Sequence, residues 1–102
     1  MRLSVLALAV AFGAAPVAAQ TSFPPEQIRT GAEIFSRNCS PCHGPHMRDP
    51  EAAFDLRQFP HDRHDRFVNS VTYGKGQMPA WGDMLKAPDI EALWAYVVAG
   101  EQ

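Results

Sequence analysis

The chain has 102 residues, a formal net charge of −2 at pH 7 and only two lysines, Lys75 and Lys86. This length allows one small domain, and many domains of this size need a disulfide, a metal or a cofactor to be stable. The sequence has no basic stripe or patch, which argues against nucleic acid as a partner and against electrostatic binding to a membrane surface.

The first 19 residues, MRLSVLALAVAFGAAPVAA, have the pattern of a secretory signal peptide. Arg2 precedes an apolar run, Leu3 to Ala15, that is too short to cross a bilayer as a stable helix. Pro16 ends this run, and small residues suited to a signal peptidase follow it. We therefore expect cleavage after Ala19, export to a bacterial periplasm, and a mature domain of residues 20–102 without a membrane span. Retention of the leader as an uncleaved anchor is the alternative.

The segment PPEQIRTGAEIFSRNC predicts the first helix of the mature chain. Its proline pair suits a helix start, and Glu26 lies near the positive end of the helix dipole. Ile28, Ala32 and Phe35 recur at the spacing of one helix face. Gly31 should cost about 1 kcal/mol relative to alanine in this position. We therefore expect Gly31 to mark a close contact with another backbone.

The stretch NCSPCHGPHM contains both cysteines of the chain, Cys39 and Cys42, followed directly by His43. A disulfide at this spacing would close a very small loop and restrict the unfolded chain little. A zinc site would need further ligands, and a thioredoxin-like dithiol would follow a buried strand that the sequence does not predict. Cys-x-x-Cys-His is the signature of covalent haem attachment, in which two thiols add to the haem vinyl groups and the histidine ligates iron. A haem-free redox dithiol is the alternative.

The central region predicts an apolar segment followed by a helix. EAAFDLRQFP supplies Phe54, Leu56 and Phe59, which we expect at the floor or rim of the haem pocket. PHDRHDRFVNSVTYGKG indicates a helix from about His61 to Tyr73, stopped by glycine. The residues expected on its inner face are Phe67, Val68 and Val71.

The second axial ligand of the iron is predicted to be Met78. It stands in GKGQMPAWG, where glycines and a proline produce an irregular loop, far enough along the chain from His43 to pass around the haem edge. Trp81 fits either ordinary core packing or a contact with the porphyrin or a propionate. The other candidates, which we interpret as too close to His43 or as core, loop or solvated residues, are His46, Met47, His61, His64 and Met84.

The segment KAPDIEALWAYVVAGEQ predicts the last helix, with Pro88 at its start and Gly100 as its stop. Its apolar stripe consists of Ile90, Leu93, Trp94, Val97 and Val98. An isolated helix of this length is marginal in water, so we expect the stripe to pack on the first helix. An uncovered stripe would instead indicate a helix-mediated dimer.

Together, CSPCHG, GQMPAW and the two flanking helices resemble the class I c-type cytochromes, which are small single-haem electron carriers. Gly31 and Phe35 match a residue pair of the N-terminal helix in that family, and Leu93 and Tyr96 match a pair of the C-terminal helix. The resemblance covers essentially the whole mature chain. It implies an all-α, cytochrome c-like fold in which three to four helices surround one covalently attached haem and the N- and C-terminal helices cross.

The same resemblance implies a monomeric electron carrier, not an enzyme, in which Cys39 and Cys42 hold haem c. Its iron would be ligated by His43 and Met78, a pair that leaves no open position and favours ferrous iron. His43 should donate its other ring proton to a backbone carbonyl, in a loop that contains Pro45 and Pro50.

The implied partners are periplasmic redox proteins, with a donor such as a dehydrogenase and an acceptor such as an oxidase or another cytochrome. The segment HDRHDRFVNSVTYGKGQMPAWGDMLK is also similar to small periplasmic cytochromes that accept electrons from quinoprotein dehydrogenases. The alternative is a small haem enzyme or gas-binding protein with an open sixth coordination site, in which His61 or His64 acts as a distal acid or base.

Overall fold

The computed structural model describes residues 22–101, together with Arg2 and Ser4. Apart from those two residues, the predicted leader and its cleavage site after Ala19 lie outside the described residues. The described chain forms four α-helices and two short 3₁₀ turns, and it contains no strand beyond one isolated β-bridge. The helices are α1 (Pro25–Asn38), α2 (Ser40–His43), α3 (His64–Tyr73) and α4 (Ala87–Ala99), and the 3₁₀ turns are Pro45–Met47 and Leu56–Gln58. The predicted all-α architecture is confirmed. No helix among these residues is long and apolar enough to span a bilayer.

Helix α1 begins and ends where the sequence pattern places it, with Pro25 in the first turn and Asn38 as its last residue. Its inner face differs slightly from the prediction. The fully buried residues are Gly31, Ile34 and Phe35, whereas Ile28 and Ala32 pack at the margin of the core. Because Gly31 has no side chain, α1 lies closest to its neighbouring helix at this residue. The buried face is therefore centred on Gly31.

The crossing of α1 and α4 depends on Gly31. A Cβ atom at this position would lie 1.9 Å from the carbonyl oxygen of Ala92 and 2.9 Å from the Cβ of Tyr96. Next to this contact, the rings of Phe35 and Tyr96 pack with their centroids 5.1 Å apart. The predicted close approach of two backbones at Gly31 is therefore confirmed.

Helix α4 is the central helix of the fold. Asp89 caps its first turn by accepting a hydrogen bond from the backbone N–H of Lys86 at 2.9 Å. The predicted stripe is too narrow, because the structure buries Ala92, Ala95 and Tyr96 as well and leaves Val98 only partly buried. A helix buried on most of its surface cannot show a clean amphipathic stripe. Because α1 covers this surface within the chain, the stripe gives no reason to invoke a helix-mediated dimer.

Helix α3 begins at His64, three residues later than predicted. The preceding residues form a turn in which the backbone N–H of Arg63 donates to the carbonyl of Pro60 at 3.2 Å. Phe67 and Val71 face the core, and Val68 packs at its edge. The helix ends at Tyr73 and is followed by Gly74, whose φ of 79° is a backbone conformation that glycine adopts without steric cost.

Candidate functional site

A cavity of about 610 Å³ opens between α1, α3, α4 and the loops that connect them. This volume lies within the range of small-molecule and cofactor sites. All four residues predicted to hold the haem line it, namely Cys39, Cys42, His43 and Met78. The predicted floor and rim residues Phe54, Leu56 and Phe59 line it as well, and so does Trp81. The walls are mostly apolar, with Phe35 from α1 and Leu93 and Val97 from α4.

The two cysteines are placed by a continuous helical turn that joins α1 to α2. The backbone N–H groups of Cys42 and His43 both donate to the carbonyl of Cys39, at 3.2 and 2.9 Å. Residues three apart in such a turn share a face, so both thiols border the same cavity. Cys39 is half-buried, and this burial, with a smaller contribution from Cys42, raises the pKa of its thiol to about 11. The Cys39 thiol is therefore a poor nucleophile near neutral pH.

The His43 ring is held through one of its nitrogens. Its Nδ1 lies 3.1 Å from the carbonyl oxygen of Phe54, which can only accept, so Nδ1 carries the proton. The Nε2 lone pair is then available to a metal ion. The expected hydrogen bond to a backbone carbonyl is present. The acceptor is Phe54, at the end of the loop that contains Pro45 and Pro50, where the chain folds back against the ring.

A tight loop between Gly44 and Phe54 makes this return possible. Gly44 has a φ of 82°, and a Cβ there would lie 1.6 Å from the carbonyl oxygen of Arg48. Four non-glycine residues of this loop also have positive φ, namely His46, Met47, Asp49 and Glu51. Such conformations cost of order 1 kcal/mol each and persist where the surrounding structure enforces them. Met47, only 2% exposed, anchors the loop in the core.

Met78 lies in a turn that is fixed to the end of α3. Lys75 and Met78 exchange two backbone hydrogen bonds, of 3.1 and 2.9 Å, around Gly76, whose φ is 58°. Just beyond, the backbone N–H of Trp81 donates to the carbonyl of Val71 at 2.8 Å. The predicted irregular loop is confirmed, and it holds the partly buried Met78 side chain at the cavity wall.

Known proteins of one family are similar to this chain. The family model described as "Cytochrome C oxidase, cbb3-type, subunit III" matches residues 26–97. Cytochrome c6 of Microcystis aeruginosa is 43% identical over 74 residues, which cover 68% of this chain and 91% of that protein. The chain belongs to the class I c-type cytochromes.

Two further similarities extend this assignment. The structure of cytochrome c6 from the diatom Phaeodactylum tricornutum aligns with a TM-score of 0.56 and 31% identity, covering 72% of this chain and 93% of that one. The quinohemoprotein alcohol dehydrogenase ADH IIB of Pseudomonas putida is 31% identical over 80 residues. That alignment covers 76% of this cytochrome but only 12% of the dehydrogenase.

The cofactor of this cytochrome is haem c, and the residues around the cavity fit it. Two thiols border the cavity near one imidazole whose Nδ1 is held by a backbone carbonyl, a thioether side chain also reaches the wall, and the remaining lining is largely apolar. This donor set, a nitrogen and a soft sulfur, is one that haem iron accepts. As a family, such cytochromes carry electrons.

The other methionines and histidines considered as ligands do not line the cavity. Met47 is buried in the core, and Met84 is 71% exposed. His64 Nε2 lies 2.8 Å from both carboxylate oxygens of Glu91. His46 Nδ1 lies 2.9 Å from Glu101, and His61 is exposed.

Two features of the site were missed by the sequence interpretation. One is the Phe54 carbonyl, which a sequence pattern cannot reveal because it depends on how the loop folds back. The other is Arg66, which lines the cavity from α3. The sequence places Arg66 directly before the inward-facing Phe67, but that position alone does not show that Arg66 reaches the cavity.

Proposed function

We propose that this cytochrome shuttles single electrons through a haem c that is attached at Cys39 and Cys42 and ligated by His43 and Met78. The observation that carries the proposal is the convergence of these four side chains on one cavity. The orientation of His43 supports it, since the hydrogen bond of Nδ1 to Phe54 leaves Nε2 as the free ring nitrogen.

When bound, haem c supplies an iron that changes oxidation state by one electron, and covalent attachment prevents its loss. The chain's own residues determine how that iron is used. The Phe54 carbonyl fixes the ring orientation and tautomer of His43. The Met78 turn places a soft thioether at the cavity wall, which favours the ferrous state relative to a second histidine.

Two observations support a carrier over a small haem enzyme or gas-binding protein. An enzyme of this kind would need a distal acid or base beside an open iron position. His61 and His64, the residues considered for that role, do not line the cavity. His64 instead bonds Glu91 and packs against Trp94, with ring centroids 5.5 Å apart. We therefore propose that the protein is not an enzyme.

We further propose that the leader of residues 1–19 directs export, that residues 20–102 are the mature domain, and that it acts as a monomer in the periplasm. Its donor would be a dehydrogenase, and its acceptor an oxidase or another cytochrome. The similarity of this chain to part of a quinohemoprotein alcohol dehydrogenase supports the donor class, and the oxidase-subunit family model supports the acceptor class.

The test is the optical spectrum of protein expressed in a bacterial periplasm, oxidised and then reduced, with and without carbon monoxide. We expect low-spin c-type bands, the weak iron–sulfur charge-transfer band in the oxidised form and no response to carbon monoxide. In M78A, that charge-transfer band should disappear and carbon monoxide should bind. M84A is the matched control, because Met84 is exposed and does not line the cavity.

Carbon monoxide binding to the unaltered protein would mean that the protein is a haem enzyme or gas-binding protein and not an electron carrier. A protein without visible bands would mean that the two cysteines serve thiol chemistry instead.

A further inference from the structure

Arg66 is a cation at the cavity without an anionic partner in the described part of the chain. Three other arginines, Arg29, Arg57 and Arg63, each pair with a carboxylate close to them in sequence. Arg66 forms no ion pair with any carboxylate among residues 22–101, although its half-buried side chain lines the cavity. Arg66, whose guanidinium has five N–H donors, thus lines the cavity without a carboxylate to accept from it.

The guanidinium of Arg66 contacts an aromatic ring. Arg66 Cζ lies 5.1 Å from the ring centroid of Phe59, within the range of a cation–π contact. Phe59 is itself held by near-perpendicular contacts with the rings of Phe54, Phe67 and Trp94. Phe59 is buried and lines the cavity, so this contact places the half-buried Arg66 guanidinium beside the cavity wall.

A haem carries two propionate carboxylates, and a carboxylate placed against mostly apolar walls is costly unless it meets a cation and hydrogen-bond donors. The planar fork of a guanidinium matches a carboxylate through two parallel hydrogen bonds. We propose that Arg66 binds a propionate of the haem and keeps it ionised. This inference rests on the proposed haem site and adds a positioning residue to it.

The other titratable or charged groups at the cavity explain why Arg66 is favoured. These groups are Cys39, Cys42, His43, Glu51 and Lys75. Glu51 has the charge of a propionate and would repel it. Lys75 is exposed and lies on the Met78 turn, and an ammonium is a strongly hydrated point charge that lacks the planar fork of a guanidinium. On α3 itself, the neighbouring Asp65 is exposed and paired with Arg63.

The test compares R66Q with R63Q in the holo-protein. Both variants remove one positive charge from the same end of the chain's third helix, but only Arg66 lines the cavity. The readout is the pH titration of the haem propionates, followed by their NMR resonances. Loss of a paired arginine should raise the apparent propionate pKa by about 1–3 units. R63Q should leave the titration unchanged, and the reduction potential of R66Q should vary more with pH than that of the unaltered protein.

Unchanged propionate titration in R66Q, or an equal shift in R63Q, would overturn the inference. If R66Q yields no holo-protein, R66K is measured instead, since it keeps the charge but loses the two-pronged geometry. An upward shift in R66K supports the assignment, and an unaltered titration refutes it. Haem bands in the unaltered protein separate these outcomes from a failure of the proposed function, which would leave no haem to titrate.

Discussion

The crossing of α1 and α4 gives a sharp prediction for G31A. The added Cβ would lie 1.9 Å from the Ala92 carbonyl oxygen, roughly 1.5 Å closer than atoms of this kind normally approach. The obstruction is backbone in the middle of the central helix, so a side-chain rotation cannot relieve it. To accept the methyl group, the two helices must move apart and loosen the contact between Phe35 and Tyr96.

The expected magnitude follows from two opposing effects. Alanine gains about 1 kcal/mol of helix propensity over glycine. Overpacking in a well-packed core costs typically about 1–3 kcal/mol, and this contact lies at the upper end or beyond because it is a backbone clash. We therefore expect G31A to lower the free energy of unfolding by about 2 kcal/mol, which is roughly 10 °C in Tm for a domain of this size.

The assay is denaturant unfolding of the holo-protein, followed by circular dichroism and by haem absorbance. The matched control is T30A, on the exposed side of the same helix, which should be neutral or slightly stabilising. A G31A protein as stable as T30A would show that the two backbones are not in contact at this crossing. The reasoning for α1 and α4 would then fail.

Two further predictions concern the cofactor and the C-terminus. The C39A/C42A variant cannot attach haem, so its circular dichroism should lack the native helical signal and its thermal unfolding should not be cooperative. The reason is that the empty cavity of about 610 Å³ would leave much of the core without packing partners. A native-like spectrum with cooperative unfolding would contradict this prediction. His46, with a smaller contribution from Tyr96, lowers the pKa of the Glu101 carboxyl. The ionised carboxylate should therefore stabilise the fold above its ordinary pKa of about 4.3, and this effect should be lost as pH falls through the lowered value. The unaltered protein should have a higher Tm than E101Q, and this difference in Tm should become smaller as the pH falls from about 4.3 through the lowered pKa of Glu101. A difference in Tm that stays constant over this pH range would count against the His46–Glu101 pair.

The first turns of α1 and α4 could be located accurately from the sequence because each contains a proline. Pro25 and Pro88 lie in the first turns of α1 and α4, where a missing N–H costs nothing. Helix α3 has no such signal, and its first residue depends on the turn of Pro60 to Arg63. The buried surface of α4 was underestimated because Ala92 and Ala95 are small residues whose burial depends on the neighbouring helix and not on their own hydrophobic pattern.

Some residues of the candidate site can be identified from their spacing in the sequence, whereas others are brought to the cavity only by tertiary packing. Cys39, Cys42 and His43 lie within one helical turn, so their sequence spacing alone places them at one cavity. Met78 could be proposed because its loop carries turn residues that keep it out of a helix. The Phe54 carbonyl and Arg66 belong to the same site, yet each acquires its role only when distant segments meet, Phe54 through the loop after Gly44 and Arg66 through the ring of Phe59. The sequence motif thus identifies the groups that would bond directly to haem, whereas the groups that would orient it and balance its charge emerge only from tertiary packing.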